Sequence, residues 1–547
     1  MKQTLHAPLS RLLREVHAAC TEAAATGAPI DEITEIRAHR RANLPRRAVL
    51  FGAPAAAATL RPRIARADAG PRVVIIGAGL AGLACARALW LRHGIAASIY
   101  EWADHIGGRV TTLRGYFDGG VIAEQHGEFI SSEHRRMRAL AARYGLTLAD
   151  VNLHEGQGTE QTGWFASQRY TAAALAQDWQ KYAWALFRDA VRQAPSATYL
   201  HASHQARIWD NMSVTDWLER YIPGGTQGQF GALCLSNVID EFGGPPEQQS
   251  ALNLIYILGY DASDKSGYQP RDTPLLAGSD EKYQVNGGND QIVYGMAGEL
   301  PEGAINLGYQ LLEVRETPGG RYRCSFATDG GTVEVAADHV VLTLPPTTLR
   351  DVKLHNILLT PVQRDALAHA TLGSNAKVYL QVAGRPWIAD GYNGTLFTDR
   401  RVGSAWDAGN IQPGGRRAGL YVGFPGGHAG TSLAARYGLS YGNYAVPAPE
   451  ALVRDTLAEL EPVFPGMKAA WAAGPQKAWV NDGNIDPHLR GAYSYFKIGQ
   501  YTGFAGAQSL PAGNLHFAGE HTSLQFQGYM EGAVQSGYRA AGEIAGS

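Results

Sequence analysis

The pattern of apolar and polar positions changes character several times along this chain. Val73, Val74, Ile75 and Ile76 follow one another with no polar alternate, which predicts a strand covered on both faces. The spacing then lengthens. From Leu80 to Leu91 the apolar residues Leu83, Ala84, Ala88 and Leu91 recur at helical intervals, so a helix follows the strand. Ala97-Ser98-Ile99-Tyr100-Glu101 reads as a second strand ending in an acid. Residues from about 147 to 275 are helical in character, as Val214-Thr215-Asp216-Trp217-Leu218-Glu219-Arg220-Tyr221 illustrates. A β-rich stretch comes later, with turn signals at Pro318-Gly319-Gly320 and Asp329-Gly330-Gly331. It closes on a second buried strand, Val340-Val341-Leu342-Thr343-Leu344, before Pro345-Pro346.

Chemistry enters at the first strand-to-helix junction, Gly77-Ala78-Gly79-Leu80-Ala81-Gly82. In a Gly-x-Gly-x-x-Gly turn, Gly77 serves the tight turn and Gly79 the close approach of a pyrophosphate. Gly82 lets helix and strand pack together. The helix N-terminus adds free N–H groups and a positive dipole end for phosphates. Glu101, 19 residues after Gly82, is placed to bond an adenosine ribose. Glycine triplets also occur in plain loops; here strand, turn, helix, strand and terminal acid together specify a dinucleotide site.

Composition narrows the picture. The 547 residues suffice for two or more domains, and 45% hydrophobic with 18% charged residues is ordinary for a globular protein. A net charge of −2, without a basic run in the body, gives no reason to expect nucleic acid. Cys20, Cys85, Cys234 and Cys324 are scattered without metal-ligand spacing, so neither a disulfide framework nor a metal is expected.

The N-terminus differs from the rest. Pro45-Arg46-Arg47 precedes an alanine-rich, uncharged run to Leu60 and then Ala65-Arg66-Ala67-Asp68-Ala69. Paired arginines, a short apolar core and a small-x-small context resemble a twin-arginine export signal. Residues 1–69 are therefore expected to be a leader, with the export machinery as a partner and a periplasmic or secreted destination. The apolar run is too short to span a bilayer.

Beyond Glu101 stands Gly107-Gly108-Arg109-Val110-Thr111-Thr112, suited to a second backbone and guanidinium contact with a pyrophosphate. Together with Gly77–Leu83 and the terminal stretch from His516 through Gly519-Glu520 and Gly528-Tyr529-Met530-Glu531-Gly532-Ala533 to Ile544, it resembles the flavin-containing amine oxidases. That family includes monoamine, polyamine and L-amino-acid oxidases. The similarity runs from about Arg72 to Ile544 and implies FAD rather than NAD. It also implies a mixed α/β fold of two interleaved domains. A Rossmann-like FAD domain would take residues 70–146, 276–350 and 481–547. A substrate domain of helices and a mixed sheet would take 147–275 and 351–480.

The same resemblance assigns roles. Gly77, Gly79, Gly82, Glu101, Gly108, Arg109, Gly519, Glu520 and Met530 would hold FAD. Tyr493 and Tyr529 would form the two walls of an aromatic cage that guides an amine to the flavin. Lys377 would hold a water against flavin N5. Trp387 would pack either near the flavin or in the core. Ala492 stands where covalent relatives have cysteine, so FAD would be non-covalent. Phe526 replaces a tryptophan of some relatives and would affect cage width. Phe129 stands where amino-acid oxidases place a carboxylate-clamping arginine, which favours an amine without an α-carboxylate, although Arg135 or a residue from another loop could substitute. Glu128 would either attract a second ammonium or make a structural hydrogen bond. The implied reaction moves hydride from the amine α-carbon to flavin N5. Hydrolysis of the imine and reoxidation by O2 to H2O2 follow. L-amino-acid oxidation and dehydrogenation with a protein acceptor are the alternatives. A homodimer is expected. Guanine-nucleotide dissociation inhibitors share the general fold as non-enzymatic carriers, but they lack the set formed by Glu101, Gly107-Gly108-Arg109 and Glu520.

Overall fold

The computed structural model describes residues 70–151, 160–259, 280–412 and 418–546, together with Ile30. The twin-arginine-like stretch lies outside the described residues.

A five-stranded parallel sheet forms the nucleotide-binding half. Val73–Ile76 lies at its centre, fully buried. Its neighbours are Ala97–Glu101 and His339–Leu342, with Ile305–Leu307 and Leu515–Phe517 at the edges. Covered faces account for the unbroken apolar runs at Val73–Ile76 and Val340–Leu342. The sheet recruits strands from three distant parts of the chain, so its loops bring sequence-remote motifs together at one edge.

Helix Leu80–His93 and the terminal helix Met530–Ala545 pack against each other on one face. Their approach depends on small residues: a Cβ on Gly537 would sit 2.2 Å from the carbonyl oxygen of Ala81. The opposite face carries a four-stranded sheet in the order Gly331–Ala337, Arg321–Thr328, Gln310–Thr317, Lys353–His355. Its two hairpins turn at the expected glycine pairs. Val74, Ile76, Val314, Phe326 and Leu515 form the core between the two sheets.

The other half contains a mixed eight-stranded sheet, ordered Ala445–Pro447, Lys477–Asp482, Ala376–Ala383, Ala418–Phe424, Ser404–Asp407, Tyr392–Thr398, Glu160–Phe165, Gln168–Tyr170. One pairing, Tyr392–Thr398 with Glu160–Phe165, is parallel. Beside it pack helices including Val214–Tyr221, Gln229–Phe242 and Ala251–Leu258 around Trp179, Phe187 and Trp217. Ile30, upstream of Arg46-Arg47, is buried in this same core. Among the described residues no helix is long and apolar enough to cross a membrane, and no cluster of three or more metal-ligating side chains occurs.

Candidate active site

One continuous cavity runs from the glycine turn to the tyrosines. At its first end the backbone does most of the work. The Gly77–Gly82 turn bonds directly to the Gly107 loop: Gly107 N–H donates to Ala78 C=O at 3.0 Å, and Gly79 and Gly107 form a parallel bridge. Gly82 has no room for a side chain, since a Cβ there would lie 2.0 Å from the carbonyl oxygen of Gly77 and 3.3 Å from Ile75. Gly79 has nothing nearer than 3.9 Å, so its missing side chain leaves space on the cavity side. Glu101 accepts N–H bonds from Ala78 and Ala103, both at 2.8 Å. Its carboxylate is thus fixed at the cavity wall with acceptor capacity remaining. This glycine-lined cradle, with an oriented acid beside it, fits the adenosine and pyrophosphate of FAD.

Midway, the two halves of the site are clasped by charge. Arg109 Nη1 donates to Glu520 Oε1 at 2.7 Å and to the Ala492 carbonyl at 2.8 Å. Glu520 also accepts from Ser494 O–H at 2.6 Å and from Gly528 N–H at 2.7 Å. Burial pushes its carboxyl up, but Arg109, His521 and Ser494 outweigh burial and hold it below the usual range. Glu520 therefore joins the loops bearing Tyr493 and Tyr529 to the Gly108-Arg109 loop. Gly519 lines the cavity beside it.

Three segments converge on the reactive end. Helix Gln229–Phe242 stops at Gly243, whose carbonyl accepts from Ser374 N–H at 3.0 Å. Gly373 N–H donates to the Tyr493 carbonyl at 2.7 Å. Gly491, at φ +148°, lies against Leu372, where a Cβ would approach to 2.5 Å. The Tyr493 loop is locked in that position. The Tyr493 and Tyr529 phenols are then secured by consecutive residues of one helix. The Tyr493 hydroxyl donates to the Asp240 carbonyl, and the Tyr529 hydroxyl donates to Glu241 Oε1 at 2.9 Å. Burial, with Asp240, Glu241 and Glu281 nearby, lifts the Tyr493 phenol well above its ordinary value. It stays protonated across the working range.

Across the cavity, Lys377 is buried. Its Nζ donates to Glu128 Oε2 at 2.5 Å and to the Glu124 carbonyl at 2.9 Å. Trp406 Nε1 donates to the other Glu128 oxygen at 3.1 Å. Glu128 thus anchors Lys377 and makes the structural bond that was its expected alternative role. Phe129 lines the wall, its ring 5.8 Å from that of Trp406. His126 is enclosed in the same wall, which lowers its imidazole to about 4. It is therefore neutral at ordinary pH.

One placement corrects the sequence reading, and a second, that of Trp387, selects between its two alternatives. Phe526 is buried against His134, with ring centroids 5.4 Å apart, and does not line the cavity. Its backbone carbonyl packs instead where Gly532 leaves room. Trp387 belongs to a separate core with Tyr421 and Phe464, away from the cavity wall. Met530 and Ala533, at the start of the terminal helix, do line the cavity. The sequence reading missed Asp240, Glu241, Glu281, His126 and Trp406, all in the wall. For Asp240 and Glu241 the one available signal was the acid pair before Gly243-Gly244, a spacing shared with many solvated helix ends.

A phosphate cradle opening into a tyrosine-walled chamber defines a flavoprotein oxidoreductase. Residues 80–545 match the family of flavin containing amine oxidoreductases, and the chain belongs to that family. A flavin-containing amine oxidase of Danio rerio is 25% identical over 498 residues, covering 86% of this chain and 85% of the relative. Flavin-containing amine oxidase B of Homo sapiens is 26% identical over 487 residues, with 86% and 85% covered. A putative flavin-containing monoamine oxidase, AofH, of Mycobacterium tuberculosis is 26% identical, with 86% and 96% covered. The fold is also that of cyclohexylamine oxidase from Brevibacterium oxydans, at TM-score 0.71 and 23% identity over 87% of this chain and 99% of that one. The protein is accordingly an FAD-dependent oxidoreductase acting on amines.

Proposed function

We propose that the substrate is a small amine without an α-carboxylate, oxidised at its α-carbon to an imine that water hydrolyses to a carbonyl product. The carrying observation is the charge of the wall. Among the described lining residues the one arginine, Arg109, is committed to Glu520, and Lys377 is committed to Glu128. Arg135, the candidate substitute, is exposed at the start of helix Arg135–Arg143 and is not in the wall. Among the described lining residues a substrate carboxylate would meet no uncommitted cation, and the acids Asp240, Glu241 and Glu281 line the same wall.

FAD supplies the hydride acceptor at N5 and the route to dioxygen, with hydrogen peroxide as product. Tyr493 and Tyr529 flank the amine and orient its nitrogen. Lys377, held by Glu128 and the Glu124 carbonyl, offers a fixed N–H donor for a water beside the flavin. Met530 opens the terminal helix into the cavity, and the positive end of its dipole favours negative charge there. Binding is non-covalent on this reading: Ala492 lines the cavity, while Cys85, Cys234 and Cys324 are buried elsewhere. We also propose export by the twin-arginine route, supported by Arg46-Arg47 and the uncharged run after them.

Purified protein should be yellow, and air-saturated solutions should release peroxide with benzylamine, cyclohexylamine or putrescine. L-amino acids should give no signal. Peroxide from L-amino acids alone would overturn the substrate class. Flavin bleached by an amine but reoxidised only by added cytochrome, and not by air, would make the chain a dehydrogenase.

A further inference from the structure

The two cage hydroxyls are bonded differently, and the difference bears on a proton. Before hydride can leave the α-carbon, the substrate nitrogen needs its lone pair. An alkylammonium ion that binds in its charged form near neutral pH must therefore lose a proton inside the cavity. Tyr493 donates to a backbone carbonyl, that of Asp240, which cannot take a proton onward. Tyr529 donates to a carboxylate oxygen, Glu241 Oε1, at 2.9 Å. Both Tyr529 and Glu241 are buried, at 9% and 5% exposure, and both line the cavity.

We propose that Glu241 is the proton acceptor for the bound ammonium substrate, acting through the Tyr529 hydroxyl. The substrate N–H bond breaks as its proton passes to Tyr529 Oη. The proton already on that oxygen passes to Glu241 Oε1. The products are a neutral amine, an unchanged phenol and a neutral carboxylic acid; no electrons move. One cation and one anion become two neutral groups.

Burial makes that exchange feasible. In water an alkylammonium near ~10 would not protonate a carboxylate near ~4. Enclosure favours the exchange, because it penalises both charged forms. Other groups in the wall are less suited. Glu128 already faces the Lys377 ammonium and Trp406 N–H. His126 is lowered to about 4 by its enclosure. Among the described residues, Asp240 lies on the same helix, Tyr493 and Glu281 line the same cavity, and the His134 ring is 5.2 Å from that of Tyr529.

This inference rests on the amine-oxidising reading, and one experiment separates the two. Flavin bleaching is followed by anaerobic rapid mixing from pH 6 to 10.5, for the wild-type chain, Glu241→Gln, Glu241→Asp and Tyr529→Phe. The reductant is benzylamine, or whichever amine of the screen above bleaches the wild-type protein fastest. Glu241→Gln should be slower by about 100-fold at pH 7, the usual scale for a lost general base. The defect should shrink to within about fivefold above pH 10, where the amine arrives neutral. Tyr529→Phe should show the same pH-dependent defect, and Glu241→Asp should recover part of the rate at pH 7. Bound-flavin absorbance and the melting temperature report whether each variant is folded. A Glu241→Gln defect of equal size at every pH would overturn the inference, leaving Glu241 as an anchor for the Tyr529 ring. If Glu241→Gln does not fold, a Tyr529→Phe defect of equal size at every pH overturns it as well. No bleaching of wild-type protein by any amine would instead overturn the amine-oxidising reading.

Discussion

The two ends of the cavity are built from opposite materials. The adenosine end is backbone: Gly77, Gly79, Gly82 and Gly107 work by lacking side chains, and all lie within 31 consecutive residues. The reactive end is buried charge and phenol: Tyr493, Tyr529, Asp240, Glu241, Glu128 and Lys377 come from segments as far apart as residues 128 and 529. A cofactor common to many reactions needs the same approach each time, which main chain provides. A particular substrate needs charges, and buried charges must be partnered. The lysine has Glu128, the arginine has Glu520, and each tyrosine hydroxyl has an acceptor. One end should therefore fail through sterics and the other through electrostatics.

The largest effect tests the steric end. In Gly82→Val even the first side-chain carbon meets the Gly77 carbonyl at 2.0 Å, a backbone atom that cannot rotate away. The helix Leu80–His93 would have to leave the sheet, and with it the phosphate cradle. Overpacking of this kind costs about 1–3 kcal/mol and sometimes more. The variant should retain no flavin through gel filtration and melt well below the wild type. A yellow, normally melting Gly82→Val protein would refute the close-packed cradle.

These differences in construction also decide what the sequence reveals. Val73–Ile76, the glycine turn and Glu101 are contiguous, so their pattern carries their structure. Tyr493, Tyr529 and Lys377 are legible only through family motifs, because nothing in local periodicity separates a cage tyrosine from a core one. Asp240 and Glu241 escape both routes. They are acids on the last turn of an apolar helix, a place where solvated acids are common. They are held from far along the chain: Asn375 and Tyr493 bond the Asp240 carbonyl, and Tyr529 bonds Glu241, from 135 to 288 residues away. Phe526 misleads for the converse reason. It lies within a functional motif, yet Gly528 turns the chain after it, and its ring faces His134 rather than the chamber.

A smaller effect tests the electrostatic end through Glu124, whose carbonyl supports Lys377. Burial raises its carboxyl to about 8, although Asn289 N–H and Thr112 O–H bond to it. The folded protein therefore holds a proton that the unfolded chain releases near pH ~4.5. Stability is fully present below that pH and falls as pH rises towards 8, by at most about 1.4 kcal/mol per pH unit from this group. Glu124→Gln keeps an acceptor for the Asn289 N–H, turns its amide NH2 to the Thr112 hydroxyl oxygen as a donor, and cannot ionise. Its melting temperature should change less than the wild type's between pH 5 and 8, with the two curves diverging as pH rises. Parallel curves would show that Glu124 is already ionised in the folded state.

The smallest effect separates residues in the motif from residues in the wall. Phe526→Leu removes an aromatic ring that contacts His134 but faces no part of the cavity. Its cost should be one of packing, about 1 kcal/mol, visible as a lower melting temperature. KM and kcat for the amine found in the screen should stay within about twofold, since neither the Tyr529–Glu241 bond nor the Tyr493 loop depends on that ring. Tyr529→Leu, three residues away, removes a wall and a hydroxyl together and should reduce kcat/KM far more. If Phe526→Leu instead changed the preference between benzylamine and putrescine, the aromatic ring would help shape the chamber, and its boundary would extend behind His134.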